Sequence, residues 1–212
     1  MKYKVTFLLD KSNLWFERHL RKYSFKLKKK YIFKISTNPK NIKEQDIVFP
    51  LSYTKILPEK FLNKNKLILI AHESKLPKDK GFAPVQYQIL RNQKKINISL
   101  IKAIAKVDAG PVYFRDVFKL DGKELSDEIR IKQAQARLKI INRFLNKYPK
   151  VKCVKQKGNG NFNKRRKPED SKLDINKTIK SQFNLLRICD NDLYPSFFNY
   201  KNQKYIIKIC KP

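Results

Sequence analysis

Two residues of this sequence have the type and the setting of a catalytic pair, His72 and Asp108. His72 directly follows an apolar run, residues 67–71, and precedes a polar loop that contains Pro77 and ends at Gly81. Apolar runs of this length are typical of buried strands in a parallel sheet, and reactive side chains in α/β proteins collect just beyond the carboxyl ends of such strands. Position alone leaves open whether His72 is catalytic or makes a single structural hydrogen bond.

Asp108 begins a tight turn, Val107-Asp108-Ala109-Gly110-Pro111, after an apolar segment. An aspartate beside a histidine can orient the imidazole and set its tautomer, as general acid–base catalysis requires. The chain contains no GxSxG, HExxH or GxxxxGK[ST] motif, so serine hydrolase, zinc protease and P-loop chemistry have no support. Its three cysteines are too widely spaced for a zinc site or a disulfide framework, which favours reduced thiols in a cytoplasmic enzyme: Cys153, Cys189 and Cys210.

The elements that must position this pair can be predicted from apolar patterning. Four strands are expected at 3–9, 31–36, 46–51 and 67–72, and their alternation with helices and short loops predicts a parallel βαβ-based sheet. Further strands are expected at 96–100 and 112–118, and helices at 15–23, 58–62, 84–91 and 123–146. We therefore expect an α/β fold with a Rossmann-like, mostly parallel sheet flanked by helices.

The composition changes after residue 150. Residues 155–171 are rich in Gly, Asn and basic side chains, which predicts a long, exposed and mobile loop, and the Arg165-Arg166 pair within it could grip phosphates. A helix at 176–187 and a hairpin between 197 and 209 are expected to follow. This pattern predicts a catalytic domain over 1–150 and a small C-terminal α+β unit over 151–212.

The formal net charge of +32 favours an anionic partner. The 50 Lys and Arg residues are scattered along the whole chain, so the charge is compatible with an anionic substrate without proving nucleic-acid binding. No run approaches the roughly 20 apolar residues that span a bilayer, and the N-terminal apolar run is broken by Asp10. We expect a protein without membrane insertion.

The motifs AHESKLPKDKG and VDAGPVY together resemble the N10-formyltetrahydrofolate-dependent formyltransferases, a family that includes methionyl-tRNA, glycinamide ribonucleotide and sugar N-formyltransferases. SYTKILP, KSNLWF and the C-terminal stretch from RRKPEDS to YIIKI are also similar to that family, so the resemblance covers nearly the whole chain. It implies the formyltransferase fold, N10-formyltetrahydrofolate as co-substrate and no metal. It also implies that His72 donates a hydrogen bond to the oxyanion formed during transfer, while Asp108 orients His72 or helps to move the amine proton.

The resemblance further implies which residues bind the two substrates. The folate is expected against two loops, through Lys55, Ile56, Leu57, Ala105, Lys106 and Val107. The acceptor is expected to contact Ser12, Asn13, Trp15, Ser74, Arg165 and Arg166. One position departs from the family pattern, since Ile70 stands where the family has an asparagine; Asn13 or Ser74 are conceivable replacements.

Three functions are compatible with these residues. The first is formylation of a nucleotide-linked amino sugar for cell-surface polysaccharide such as lipopolysaccharide, favoured by the sugar-type C-terminal stretch. The second is formylation of initiator methionyl-tRNA, favoured by the charge and opposed by the short stretch after residue 150. The third is a folate-binding relative that lost catalysis with the asparagine. The sequence leaves the oligomeric state open, with a dimer as one option.

Overall fold

The computed structural model describes residues 2–11, 14–27 and 31–212. Its strands are β1 (Tyr3–Leu9), β2 (Tyr31–Ser36), β3 (Ile47–Leu51), β4 (Leu69–His72), β5 (Lys80–Gly81), β6 (Lys95–Lys102), β7 (Val112–Lys119), β8 (Phe162–Asn163), β9 (Ser196–Tyr200) and β10 (Gln203–Ile207). Its α-helices are α1 (Glu17–Lys22), α2 (Glu59–Asn63), α3 (Pro84–Leu90), α4 (Ser126–Lys147) and α5 (Ile179–Ile188). Three short 3-10 helices cover Leu14–Phe16, Pro39–Asn41 and Pro168–Ser171.

The main sheet is parallel in its first half and antiparallel in its second. β1 lies between β2 and β3 and is parallel to both. A parallel bridge between Val48 and Ile68 joins β3 to the segment that enters β4, and β6 and β7 then continue antiparallel. The predicted α/β architecture is confirmed, and the strand that ends at His72 lies where the parallel half meets the antiparallel half.

The core lies between this sheet and α4, the longest helix. Phe7 of β1 stacks on Phe49 with ring centroids 5.7 Å apart, and Phe144 of α4 packs edge-on against Tyr113 at 5.1 Å. Phe7, Phe49 and Phe144 are all fully or almost fully buried. The apolar faces predicted for β1, β3 and α4 therefore meet in one layer, which fixes the end of β4 relative to the helices.

The predicted C-terminal unit, residues 151–212, contains α5 and the β9–β10 hairpin after the Gly- and Asn-rich stretch. Helix α5 starts later than predicted because the Thr178 side chain accepts a hydrogen bond from the Ser181 amide and so caps the first turn. Two ion pairs join α5 and its C-terminal end to the rest of the chain: Arg187 lies 3.7 Å from Glu124, and Arg130 lies 2.6 Å from Asp190.

The Gly- and Asn-rich stretch 155–171, predicted as a mobile loop, is largely exposed but hydrogen-bonded to the catalytic part. Its strand β8 pairs in parallel with β5, in the loop that follows His72. Just before it, Val154 pairs with Val112 at the start of β7. Polar and glycine composition predicts a loop, whereas these backbone pairs depend on distant residues that composition does not identify. In the described ranges, no helix is long and apolar enough to cross a membrane.

Candidate active site

His72 is the last residue of β4, and both of its ring nitrogens face protein oxygens. Nε2 lies 2.7 Å from the carbonyl oxygen of Asp79, and Nδ1 lies 3.6 Å from Oδ2 of Asp108. Because a carbonyl oxygen only accepts hydrogen bonds, Nε2 carries the proton and donates it. His72 is 6% exposed and Asp108 is 8% exposed, so the predicted pair meets in a nearly dry setting, where a directed N–H group is most effective.

Asp108 occupies a left-handed turn with φ of 50°, which is uncommon for a residue other than glycine. Its Oδ2 accepts a hydrogen bond of 2.8 Å from the Gly81 amide, and the same oxygen faces His72. The following Gly110 approaches the backbone closely, since a Cβ at this position would lie 1.7 Å from the carbonyl oxygen of Lys102. The VDAG sequence thus forms a turn that aims a carboxylate at the end of β4.

The loop after β4 is held by Asp79, which also has positive φ, 56°. Its carboxylate accepts hydrogen bonds from Arg91 at 2.7 Å, Asn161 at 3.2 Å and Asn163 at 3.3 Å. These contacts fix the carbonyl oxygen that receives the His72 N–H. Two of the three donors belong to the stretch that was predicted to be a mobile loop.

Glu73, directly after His72, forms a buried ion pair with Arg137 of α4. The guanidinium Nε and the side-chain amide of Gln133 both donate to Oε1 of Glu73, and Arg137 also donates to the Ser52 hydroxyl at 2.9 Å. Burial alone raises the pKa of Glu73, but attraction to Arg137 and the hydrogen bond from it hold the pKa below its ordinary value. One guanidinium therefore connects the ends of β3 and β4.

A third polar group lies at the end of β1. Asp10 is 3% exposed, and its Oδ2 accepts hydrogen bonds from the Thr54 amide at 3.3 Å and the Thr54 hydroxyl at 2.5 Å. Arg165 donates to the Thr54 carbonyl at 3.3 Å, and its guanidinium lies 4.6 Å from the Phe82 ring centroid. Arg165 thus lies across the loop after β3, near the residues predicted to bind substrate.

The residues predicted to bind folate lie on two loops that share one apolar cluster. Leu57, from the loop after β3, and Ala103, from the loop after β6, pack against the same buried residues, Leu8, Ile42, Val48, Phe61 and Ile68. Ile56 is 77% exposed and Val107 is 41% exposed, and Lys55, Ala105 and Lys106 are exposed as well. The cluster brings the two predicted loops side by side and leaves apolar side chains open to a ligand.

The residues predicted to bind the acceptor are more dispersed. Trp15 is half-buried, with the guanidinium carbons of Arg130 and Arg137 each 5.9 Å from its ring centroid. Arg166 donates to the Asp170 carbonyl at 2.7 Å, which directs it to its own loop and away from Thr54. Ser12 and Asn13 lie outside the described residues.

Ser74, which was predicted to contact the substrate, lies buried beneath the loop after β4, and its role as a substrate contact stays a prediction. Ser74 is 0% exposed, its amide donates to the His72 carbonyl, and its carbonyl accepts from the Ser99 hydroxyl at 2.6 Å. Its hydroxyl oxygen is buried and has no hydrogen-bond partner among the described residues. Ile70, at the position of the family asparagine, packs against Leu76, Ile101 and Val112, and therefore serves an apolar cluster.

Sequence reasoning missed Asp10, which holds the loop after β3, and the residues that hold the pair in place: Glu73, Asp79, Arg137, Gln156, Asn161 and Asn163. All of them act through contacts between segments far apart in sequence. The available signal was polarity within apolar surroundings, as at Asp10 after YKVTFLL and Glu73 after LILIAH. No group of three or more His, Cys, Asp or Glu side chains that could hold a metal occurs within 2–11, 14–27 and 31–212.

Comparison with curated proteins gives relatives at about 30% identity. The bifunctional polymyxin resistance protein ArnA of Wigglesworthia glossinidia brevipalpis is 29% identical over 168 residues, 76% of this chain and 25% of that protein. The methionyl-tRNA formyltransferase of Mycoplasma capricolum is 30% identical over 175 residues, 79% of this chain and 54% of that protein. The chain therefore spans about half the length of that methionyl-tRNA formyltransferase and a quarter of ArnA.

Solved structures share the fold along the whole chain. A methionyl-tRNA formyltransferase from Clostridium thermocellum has a TM-score of 0.81 at 22% identity, covering 97% of this chain and 99% of that one. A 4-N formyltransferase from Francisella tularensis has a TM-score of 0.74 at 14% identity, covering 98% and 97%. HypX from Aquifex aeolicus, in complex with tetrahydrofolic acid, has a TM-score of 0.65 at 16% identity, covering 99% and 38%.

The sequence model of the formyl transferase family matches residues 7–145, a range that contains His72, Asp108 and all but the C-terminal part of the site. The match covers more than half of the chain and agrees with the similarity to the curated relatives and to the solved structures. The chain belongs to the formyl transferase family.

Proposed function

We propose that this chain transfers a formyl group from N10-formyltetrahydrofolate to the amino group of a nucleotide-linked amino sugar. The observation that carries the proposal is the buried pair at the end of β4, in which His72 has a donating Nε2–H and Asp108 faces its Nδ1. Formyl transfer to an amine needs a hydrogen-bond donor for the developing oxyanion and a group that helps to remove the amine proton.

In the proposed mechanism, the amine nitrogen forms a bond to the formyl carbon, and the bond from that carbon to N10 breaks. His72 donates through Nε2 to the tetrahedral oxyanion, so its hydrogen bond to the Asp79 carbonyl is exchanged for one to the substrate. Asp108 stabilises positive charge on the imidazole and helps to pass the amine proton toward N10. The Asp79 loop stays anchored during this exchange, because the Asp79 carboxylate accepts separate hydrogen bonds from Arg91, Asn161 and Asn163.

The proposed folate site lies between the loops after β3 and β6. The shared packing of Leu57 and Ala103 supports it, and so do the exposed side chains of Ile56 and Val107, which could cover the faces of a pterin ring. The HypX relative with tetrahydrofolic acid has the same fold. These loops present backbone groups and apolar surface without an acidic side chain among residues 52–58 or 103–107.

The acceptor is the less constrained part of the proposal. The structural neighbour named as a 4-N formyltransferase and one named as a sugar N-formyltransferase from Shewanella support an amino sugar. Arg165 at Thr54 supplies a cation for a diphosphate beside the site, and Trp15 offers a ring on which a base could stack.

Initiator methionyl-tRNA is the second candidate acceptor. It is favoured by the net charge of +32 and by the several methionyl-tRNA formyltransferases among the curated relatives. The curated methionyl-tRNA formyltransferase is about twice as long as the matched part, whereas one solved chain with that name is covered to 99%.

The test is a formyl-transfer assay with N10-formyltetrahydrofolate and a panel of acceptors: UDP- and dTDP-linked 3-amino and 4-amino sugars and charged initiator tRNA. We expect turnover with an amino sugar, and a loss of about 10²–10³-fold in kcat for His72→Ala, because one oxyanion donor is removed. Lys208→Ala is the control, since Lys208 is exposed and pairs with Asp192 near the C-terminal end of the chain.

Each outcome of the panel separates the candidates. Turnover of tRNA alone would replace the sugar by tRNA as acceptor. Folate binding without transfer to any acceptor would identify a non-catalytic relative. Full activity of His72→Ala would exclude the proposed mechanism.

A further inference from the structure

We propose that the segment from Val154 to Asn163 positions the catalytic pair, with Gln156 acting as a positioning residue for Asp108. The inference rests on the proposed function and extends it to a segment outside the range that the family model matches. It assigns a positioning role to the Gly- and Asn-rich stretch, whose sequence predicts only an exposed loop.

Gln156 holds the Asp108 turn through a single side-chain amide. Its Nε2 donates to the carbonyl oxygens of Asp108 and Gly110, both at 2.8 Å. These two carbonyls flank the turn in which Asp108 has φ of 50°. A non-glycine residue in this region is strained and persists only when surrounding contacts hold it, so the two hydrogen bonds stabilise the conformation that aims the carboxylate at His72.

The other end of the segment holds the loop after β4. The Asp79 amide donates to Oδ1 of Asn161 at 2.9 Å, and the amides of Asn161 and Asn163 donate back to the Asp79 carboxylate. The Asp79 carbonyl is the oxygen that accepts the His72 N–H. The same segment therefore fixes the partner of each ring nitrogen of His72.

The segment lies directly on the loop that it holds. A Cβ at Gly160 would lie 2.1 Å from the Pro77 carbonyl oxygen, and one at Gly81 would lie 2.6 Å from the Asn163 carbonyl oxygen. At its start, Val154 and Val112 exchange two backbone hydrogen bonds, of 2.8 and 2.9 Å. The glycines thus permit close backbone contact between this segment and the loop after β4, and the Val154–Val112 pair holds its other end.

The test compares Gln156→Leu with Gln182→Leu. Gln182 on α5 also donates to two backbone carbonyls, those of Asp174 and Lys177, but lies outside the site. We expect kcat of Gln156→Leu to fall about tenfold, because the substitution removes hydrogen bonds of ordinary strength. The KM for the folate and the KM for the acceptor should change little. Gln182→Leu should keep the kcat of the wild type.

Two further measurements separate positioning from general stability. In an Asp108→Asn background, Gln156→Leu should cost almost nothing more in kcat, because it acts through Asp108. Hydrogen exchange should become faster at the Gly81 amide, which donates to Asp108, in Gln156→Leu but not in Gln182→Leu.

The inference is overturned if Gln156→Leu keeps the wild-type kcat or if hydrogen exchange at the Gly81 amide is unchanged. It is also overturned if Gln156→Leu lowers kcat as much in the Asp108→Asn background as in the wild type. Its failure is distinct from that of the proposed function. Loss of activity in His72→Ala with an unaffected Gln156→Leu would reject the positioning role alone. If the wild type transfers no formyl group, exchange at Gly81 still decides whether Gln156 holds the turn.

Discussion

The two sides of the candidate site are built differently. On the catalytic side, His72, Glu73 and Asp108 are each less than 9% exposed, and their polar atoms are engaged by the loop after β4, by helices α3 and α4 and by Gln156. On the proposed folate side, residues 54–56 and 104–107 are exposed, and Ile56 has 77% of its surface in solvent.

The contrast follows from what each side must do. An oxyanion donor stabilises a transition state only when it is already oriented, so a dry and hydrogen-bonded setting suits His72. A surface that admits and releases a co-substrate must leave its apolar groups uncovered until the ligand arrives. We therefore expect substitutions on the catalytic side to change stability and kcat, and substitutions on the folate side to change KM alone.

The largest expected effect comes from Arg137→Gln. It leaves the buried Glu73 carboxylate without its cation, and breaking a buried ion pair in this way typically costs about 3–5 kcal/mol of unfolding free energy. We also expect kcat per folded molecule to fall, because Arg137 connects the strand end at His72 with Ser52. Urea denaturation and steady-state kinetics measure the two effects.

The matched control for Arg137→Gln is Arg187→Gln, which breaks the buried pair with Glu124 outside the site. It should lose stability without losing kcat per folded molecule. If kcat per folded molecule falls as much in Arg187→Gln as in Arg137→Gln, any destabilisation slows this enzyme, and Arg137 has no specific role in the site.

The Arg137→Gln effect should also depend on pH. The pKa of Glu73 is lowered in the folded protein from its ordinary 4.5, so the ion pair contributes fully above about pH 4.5 and progressively less as the pH falls through the folded value. The difference in unfolding free energy between wild type and variant should therefore shrink on acidification. A difference that grew toward low pH would contradict this assignment of charge.

Asp108→Asn is expected to have the next largest effect. The amide can still accept a hydrogen bond from Gly81 but cannot place a carboxylate charge beside Nδ1 of His72. We expect kcat to fall about 10²-fold, equivalent to ~2.7 kcal/mol of activation free energy, with a small change in melting temperature. Asp116→Asn, which alters an ion pair with the exposed Lys139, should keep kcat. Equal kcat values for the two variants would place Asp108 outside the chemistry.

The same contrast explains what the sequence could predict. Apolar runs locate strands, so the end of β4 and the turn at Asp108 could be found from local pattern, and with them both members of the pair. Glu73, Arg137 and Gln156 could not, since each acts on a partner at least 46 residues away. The antiparallel course of β6 and β7 was missed for the same reason, because strand direction depends on pairing and not on local composition.

The smallest expected effect lies on the folate side, at Ile56→Ser. Because the side chain is 77% exposed and supports no packing, the melting temperature should not change. If the pterin covers Ile56, the substitution removes part of an apolar contact worth about 1 kcal/mol, which is roughly a fivefold rise in KM for the folate at constant kcat. Ile179→Ser is the matched control, since Ile179 is 72% exposed at the start of α5 and should leave KM unchanged. A fall in kcat instead of a rise in KM would assign Ile56 to the catalytic side, and an unchanged KM would move the folate away from this loop.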